Sequence, residues 1–134
     1  MAKLTFEQAI DLMPVVFQPY ERLNGRAKRL KTPLGIVQFH HSSLLRDGLY
    51  KTSHNEDEIK NEIDFILYAL GYDGILVLHR NTLLSFFDKN VTSRYSNNRY
   101  PIHILPENGK YIWIGRDGYR MDMTEYFYPN RKFK

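Results

Sequence analysis

Residues 53–80 read SHNEDEIKNEIDFILYALGYDGILVLHR, and the rest of the chain is organised around them. Ile59, Ile63, Ile66, Leu67 and Leu70 recur at the spacing of one helical face, which predicts a helix ending near Leu70. Asn55 is the expected N-cap, because its side-chain oxygen can accept from a free first-turn amide; Glu58 stands three residues on. Glu56 and Asp57 place negative charge at the positive end of the helix dipole. Gly71 suits a left-handed C-terminal position, Gly71–Gly74 turns the chain, and Ile75–Leu78 is an apolar run expected as a strand covered on both faces.

Upstream, Leu34–His41 reads as a strand through Ile36, Val37 and Phe39. Strand, helix 55–70 and strand 75–78 then make a β-α-β unit. The intervening residues 42–54 are expected as a loop turning at Arg46-Asp47-Gly48. Thr5–Met13 is predicted helical, with Thr5 and Gln8 forming a capping box and Phe6, Ile10 and Met13 sharing a face. Glu21–Lys31 holds five Arg or Lys among eleven residues. With Gly25 inside it and Pro33 after it, the segment is expected as a loop or short irregular helix.

Downstream, Asn81 can cap a short helix, Thr82–Asp88, whose Leu83, Leu84, Phe86 and Phe87 either pack on the sheet or form a partner-binding ridge. Lys89–Arg99 is polar and reads as a loop. Tyr100–Leu105, Tyr111–Ile114 and Tyr119–Tyr126 read as an antiparallel meander, with Asn108-Gly109 the strongest turn signal because both residues tolerate positive φ. The expected fold is α+β: a mixed sheet with an N-terminal helix, a β-α-β unit and a C-terminal three-stranded antiparallel meander. The chain is expected as a single domain over 1–134, divided into a helix and basic loop (1–33), a β-α-β core (34–80), a short helix and polar loop (81–99), a meander (100–128) and a basic tail (129–134).

Composition narrows the function classes. The chain has 134 residues, no cysteine, a formal charge of +4, 14% aromatic residues and ten tyrosines. No disulfide or thiolate metal site is available, and the usage fits an intracellular, cytoplasmic protein. No apolar run approaches the roughly eighteen residues of a membrane helix. Glu7 and Asp11 interrupt the N-terminal apolar residues, so no secretory signal is expected.

Cations for phosphates and aromatics for base stacking are the two ingredients of single-strand binding. They coincide at Arg22, Arg26, Lys28 and Arg29; at Arg94, Tyr95, Arg99 and Tyr100; and at Arg131, Lys132 and Lys134 beside Tyr128 and Phe133. The expected function is therefore that of an accessory protein that binds nucleic acid, or a protein complex that handles it. The alternative is a protein-interaction module or inhibitor using the aromatic C-terminal surface.

His40-His41-Ser42-Ser43 ends a strand, where open sheets place ligands and where histidine can act as acid, base or ligand. Over three residues, His41-x-Ser43 is similar to the first motif of ADP-ribosyltransferases, which holds the nicotinamide nucleotide. That resemblance implies an enzyme on a nucleotide-like substrate, with His41 and Ser43 in the site and Glu125 as the candidate catalytic acid. His41, His79 and His103 would converge on a metal only if their strands were neighbours; no H-E-x-x-H is present and no metal or cofactor is expected. Asp64, Asp73, Asp88 and Glu107 form no paired motif of the kind a cation-dependent nuclease needs. Walker, G-x-G-x-x-G and G-x-S-x-G patterns are absent.

Overall fold

The computed structural model describes residues 3–88, 99–115 and 118–133. It is an α+β fold whose order is α1 (Phe6–Leu12), β1 (Glu21–Leu23), β2 (Arg29–Thr32), β3 (Gly35–Ser42), β4 (Tyr50–Asn55), α2 (Glu56–Asn61), β5 (Phe65–Leu70), β6 (Gly74–His79), α3 (Arg80–Asp88), β7 (Arg99–Glu107), β8 (Lys110–Ile114), β9 (Arg120–Asp122) and β10 (Phe127–Pro129). Short 3-10 turns occupy Val15–Phe17 and Thr124–Tyr126. The strands form a mixed six-stranded sheet, β1-β2-β3-β5-β6-β10, and an antiparallel four-stranded sheet, β4-β7-β8-β9. No helix among the described residues is long and apolar enough to cross a membrane.

The central stretch departs from its expected form. The helix starts at the Asn55 cap, whose Oδ1 accepts the Glu58 amide at 3.2 Å, but it stops at Asn61. Residues 65–70 are β5, paired in parallel with β3 and antiparallel with β6. Helical spacing and two-sided burial both place apolar residues densely here, so periodicity alone does not separate them. The neighbouring strands decide: they supply hydrogen bonds on both sides of F-I-L-Y-A-L and cover both faces. Ile66, Tyr68 and Leu70 enter one core cluster while Leu67 and Ala69 enter the other.

Gly71, at φ 55°, therefore serves a β5–β6 hairpin, with Asp73 N–H on the Leu70 carbonyl at 2.9 Å, and caps no helix. The parallel β-α-β pair exists as β3 and β5, and its crossover contains β4 as well as α2.

Two further segments expected as loops are strands. Glu21–Lys31 contributes β1 and most of a β1–β2 hairpin, and 50–55 is β4, an edge of the smaller sheet. The capping box at Thr5 and Gln8 is formed, and Asn108-Gly109 turns with φ of 53° and 77°. The meander is formed as β7, β8 and β9, with a short third strand. After a 3-10 turn the chain returns to the larger sheet as β10 on β6.

The larger sheet is covered on both sides. α1 and Phe17 pack over Leu30, Val37, Phe39, Leu67, Ala69, Ile75 and Val77 on one side. On the other side the smaller sheet meets it through Tyr50, Ile102, Ile104 and Trp113, joined by Ile59 of α2 and by Leu83 and Phe86 of α3. Leu83 and Phe86 are fully buried, and Phe86 stacks on Trp113 at 3.8 Å, so these two residues of the apolar ridge pack inward.

Asn130 fixes the C-terminal end to the β5–β6 turn. Its backbone N–H donates to the Asp73 carbonyl, its Nδ2 donates to the carbonyls of Tyr72 and Phe133, and its Oδ1 accepts the amides of Lys132 and Phe133.

Candidate functional site

Successive residues of β3 face opposite sides of the larger sheet. Val37, Phe39 and His41 face α1, whereas Gln38, His40 and Ser42 face the smaller sheet. The strand thereby separates two polar groups, one on each side.

The inner group is a seam of hydrogen bonds between the sheets. Arg29 reaches across from β2 and donates through Nε to Gln38 Oε1 at 2.7 Å. Its terminal nitrogens pair with Glu58 at 2.9 Å and Glu62 at 3.1 Å. His40 Nε2 lies 3.4 Å from Gln38 Nε2 and 2.5 Å from His54 Nδ1, and His40 Nδ1 lies 3.3 Å from Thr52 Oγ1.

Arg29 has only donors, so it must meet the Gln38 oxygen, which leaves the Gln38 amide NH2 facing His40. His40 Nε2 has a single lone pair and His54 Nδ1 is its nearer neighbour, so the direction of the His40–His54 and His40–Thr52 bonds follows the tautomer of the pair.

His54 Nε2 is buried without a hydrogen-bond partner among the described residues. Burial, then the charge of Arg99, pushes His40 down to about 4. Burial, then His40 and Arg99, pushes His54 down to about 3. Both imidazoles are neutral near pH 7.

This seam opens on a cleft of about 320 Å³ lined by His40, Lys51, Thr52, Ser53, Arg99 and His103. Arg99 donates from Nε to Ser53 Oγ at 3.0 Å and from Nη2 to the Ser53 carbonyl at 2.8 Å. Lys51 stands across the β4–β7 ladder from His103 and pairs with Asp47 at 2.7 Å.

The outer group surrounds His41, which stacks obliquely on Phe39 and is exposed. Its pKa is lowered by partial burial and then by the charges of Lys3 and Lys28. Arg22 lies over the Phe6 ring at 5.1 Å and pairs with Glu7 at 2.9 Å. Arg26, at the tip of the hairpin, is exposed. Neither Arg26 nor Lys28 forms an ion pair among the described residues.

The sequence-predicted residues therefore divide. Arg22 and Lys28 lie on the His41 side, whereas Arg26 at the hairpin tip lines a groove with Arg29 and Glu58. Arg29 leaves that cluster, because its guanidinium is held by Glu58, Glu62 and Gln38 on the opposite side of the sheet. Arg99 belongs to the cleft, and Tyr100 is buried rather than free to stack. Lys132 turns back to the Asp11 carbonyl at 3.2 Å, and Arg131 is exposed beside it. Arg94, Tyr95 and Lys134 lie outside the described residues.

The proposed pairing of His41 with a Glu125 acid is not assembled. His41 rests on Phe39 in the α1-side cluster, while Met123 and Tyr126, which bracket Glu125, pack in the cluster on the other side. Ser43 is half-buried, just beyond β3.

His79 packs edge-on to Phe65 and accepts the Asn81 amide, whereas His103 belongs to the smaller sheet, so His41, His79 and His103 do not converge. Among the described residues no three His, Cys, Asp or Glu side chains gather as a metal site.

The residue missed from sequence is His54. The alternation Tyr50, Thr52, His54 was its signal: read as a strand, it puts all three on one face with His40 opposite.

No protein-family model, no curated protein and no solved structure matches this chain.

Proposed function

We propose that the protein acts by binding nucleic acid, with Lys3, Arg22 and Lys28 on the His41 side, and Arg26 at the adjoining hairpin tip, as the phosphate-contacting surface. The observation that carries this reading is the imbalance of charge on the α1 side of β1–β3. Lys3, Arg22 and Lys28 act there, and Glu7 is engaged by Arg22. The acids of α2 that could offset them lie across the sheet on Arg29.

β1 is an edge of the larger sheet, so a polyanion can lie along the hairpin. Tyr20, which precedes β1, is 41% exposed and offers a ring on which a base can stack. Sequence-independent phosphate contact, with no base-edge readout, is the mode these residues support.

The test is binding of single-stranded and duplex oligonucleotides across a salt series. Each neutralised phosphate contributes roughly 0.7 to 0.9 to the slope of log affinity against log salt. Arg26→Glu with Lys28→Glu should weaken binding and reduce that slope by about 2. Binding that ignores salt, or a protein partner that stays attached through nuclease and high salt, would overturn the reading.

A further inference from the structure

We propose that the protein takes single-stranded rather than duplex nucleic acid, with unpaired bases held in an apolar groove walled by Tyr20 and Pro19. This inference rests on the nucleic-acid reading above and names the form of the ligand.

The groove lies at the start of β1, an edge strand of the larger sheet. Two cavities adjoin there. One, of about 730 Å³, is lined by Val15, Gln18, Pro19 and Tyr20. The other, of about 400 Å³, is lined by Pro19, Tyr20, Glu21, Lys31, Thr32 and Pro33. Pro19 and Tyr20 line both, so the two are continuous at that pair. Both volumes fall within the ~300–1,000 Å³ of small-molecule sites, which leaves room for a base with its sugar.

Much of this wall is apolar and uncovered. Val15 and Val16, in the 3-10 turn after α1, are 72% and 58% exposed. Leu34, next to Pro33, is exposed as well. Continuous apolar surface rimmed by charge marks a place where a partner sits. A tyrosine ring, two prolines and a valine offer apolar faces, and the base is the part of a nucleic acid with a face to match.

Phosphates need the opposite chemistry, and it stands close by. Arg22 follows Tyr20 by two residues, roughly 7 Å along a strand, and Lys31 lines the second cavity itself. Glu21 is the one acid among the lining residues, and it stands across the β1–β2 ladder from Lys31. Base faces against a ring and phosphates against adjoining cations are together the demand of a single strand. A duplex meets only half of it. Its base faces are stacked inside the helix, and its grooves present base edges alone.

The wild-type chain is titrated with oligothymidylate, with an abasic strand of equal length and with a duplex of equal length, each across a salt series. Oligothymidylate should bind about tenfold more tightly than the abasic strand, with the same salt slope, because the two carry equal charge. It should also bind more tightly than the duplex at physiological salt. Tyr20→Ala should weaken oligothymidylate about tenfold and leave the abasic strand, the duplex and the slope unchanged. Tyr20→Phe keeps the ring and should keep the affinity.

Equal affinity for oligothymidylate and the abasic strand overturns the inference, as does a Tyr20→Ala protein that binds as the wild type does. So does a wild-type dimer that Tyr20→Ala splits, in sedimentation, with oligonucleotide affinity unmoved; the groove then belongs to a second copy. If all three ligands bind alike, with a salt dependence that Arg26→Glu and Lys28→Glu reduce, the basic strip stands and only the groove has failed. If none binds in a salt-dependent way, the nucleic-acid reading itself has failed and this inference falls with it.

Discussion

His40 and His41 are adjacent in the chain and live in different chemistry. His40 is enclosed between the two sheets, with a partner on each ring nitrogen. His41 stands outside, with Phe39 beneath it and within the field of Lys3 and Lys28. A strand turns its side chains to alternate sides, so one peptide bond separates a hydrogen-bonded interior from a charged exterior. The same division separates Arg29 from Lys28. In a seam the partners define a residue's role; on a strip the field does.

Acid should expose that difference most strongly. The pKa values of His40 and His54 are depressed in the folded protein, to about 4 and about 3, whereas in the unfolded chain they return near 6.5. Between those values the unfolded chain binds protons that the folded chain refuses. Stability therefore rises with pH through this window and falls as pH drops from about 6.5 towards 4. A loss on the order of 5 kcal/mol for the pair is expected, read as the change in urea midpoint between pH 7 and pH 4.5. His54→Leu should flatten the dependence. If the wild-type midpoint does not move, the neutral seam is wrong.

Arg29→Ala comes next, with a cost of about 2 kcal/mol. It removes the donor that orients Gln38 and leaves the Glu58 and Glu62 carboxylates without their cation. Denaturant unfolding measures it. The comparison sharpens if Arg26→Glu with Lys28→Glu, only a few residues away, changes stability by less than about 0.5 kcal/mol while weakening oligonucleotide binding. An Arg29 variant that is stable yet defective in binding would return that residue to the strip.

His41→Ala is the smallest change. Stability should move by less than about 0.5 kcal/mol, since the side chain is exposed and no hydrogen bond to its ring is formed among the described residues. Oligonucleotide affinity should fall slightly, and more at pH 5.5 than at pH 7.5, because the protonated ring adds a cation there.

Much of the fold was legible where the signal is local. The Thr5–Gln8 box and the Asn55 cap each involve groups three residues apart, and both are formed. Asn108-Gly109 needs only its own two backbone conformations. The basic strip was legible in part, because Arg22, Arg26 and Lys28 are close in sequence. The failures have a different cause. β1, β2 and β4 are short, carry many polar residues, and gain their hydrogen bonds from strands elsewhere in the chain. Glu21–Lys31 looked like a loop because its charges hide a single core residue, Leu30, which is fully buried under α1.

By itself the amino-acid sequence determined the α+β class, the starts of α1 and α2, the turn at Asn108-Gly109, and the fact that residues 66–70 and 75–78 lie in the core. Those depend on side-chain type and on neighbours within a few residues. α3 instead starts at Arg80, with Asn81 inside it and not at its cap. Tertiary structure decided that 65–70 is a strand, because β3 and β6 satisfy its backbone from both sides. It also decided that Arg29 serves the interior and that His40 meets His54. Period-two alternation dictates that His40 and His41 face opposite ways. Which way is inside depends on where α1 and the smaller sheet pack, and those contacts join residues far apart in the chain.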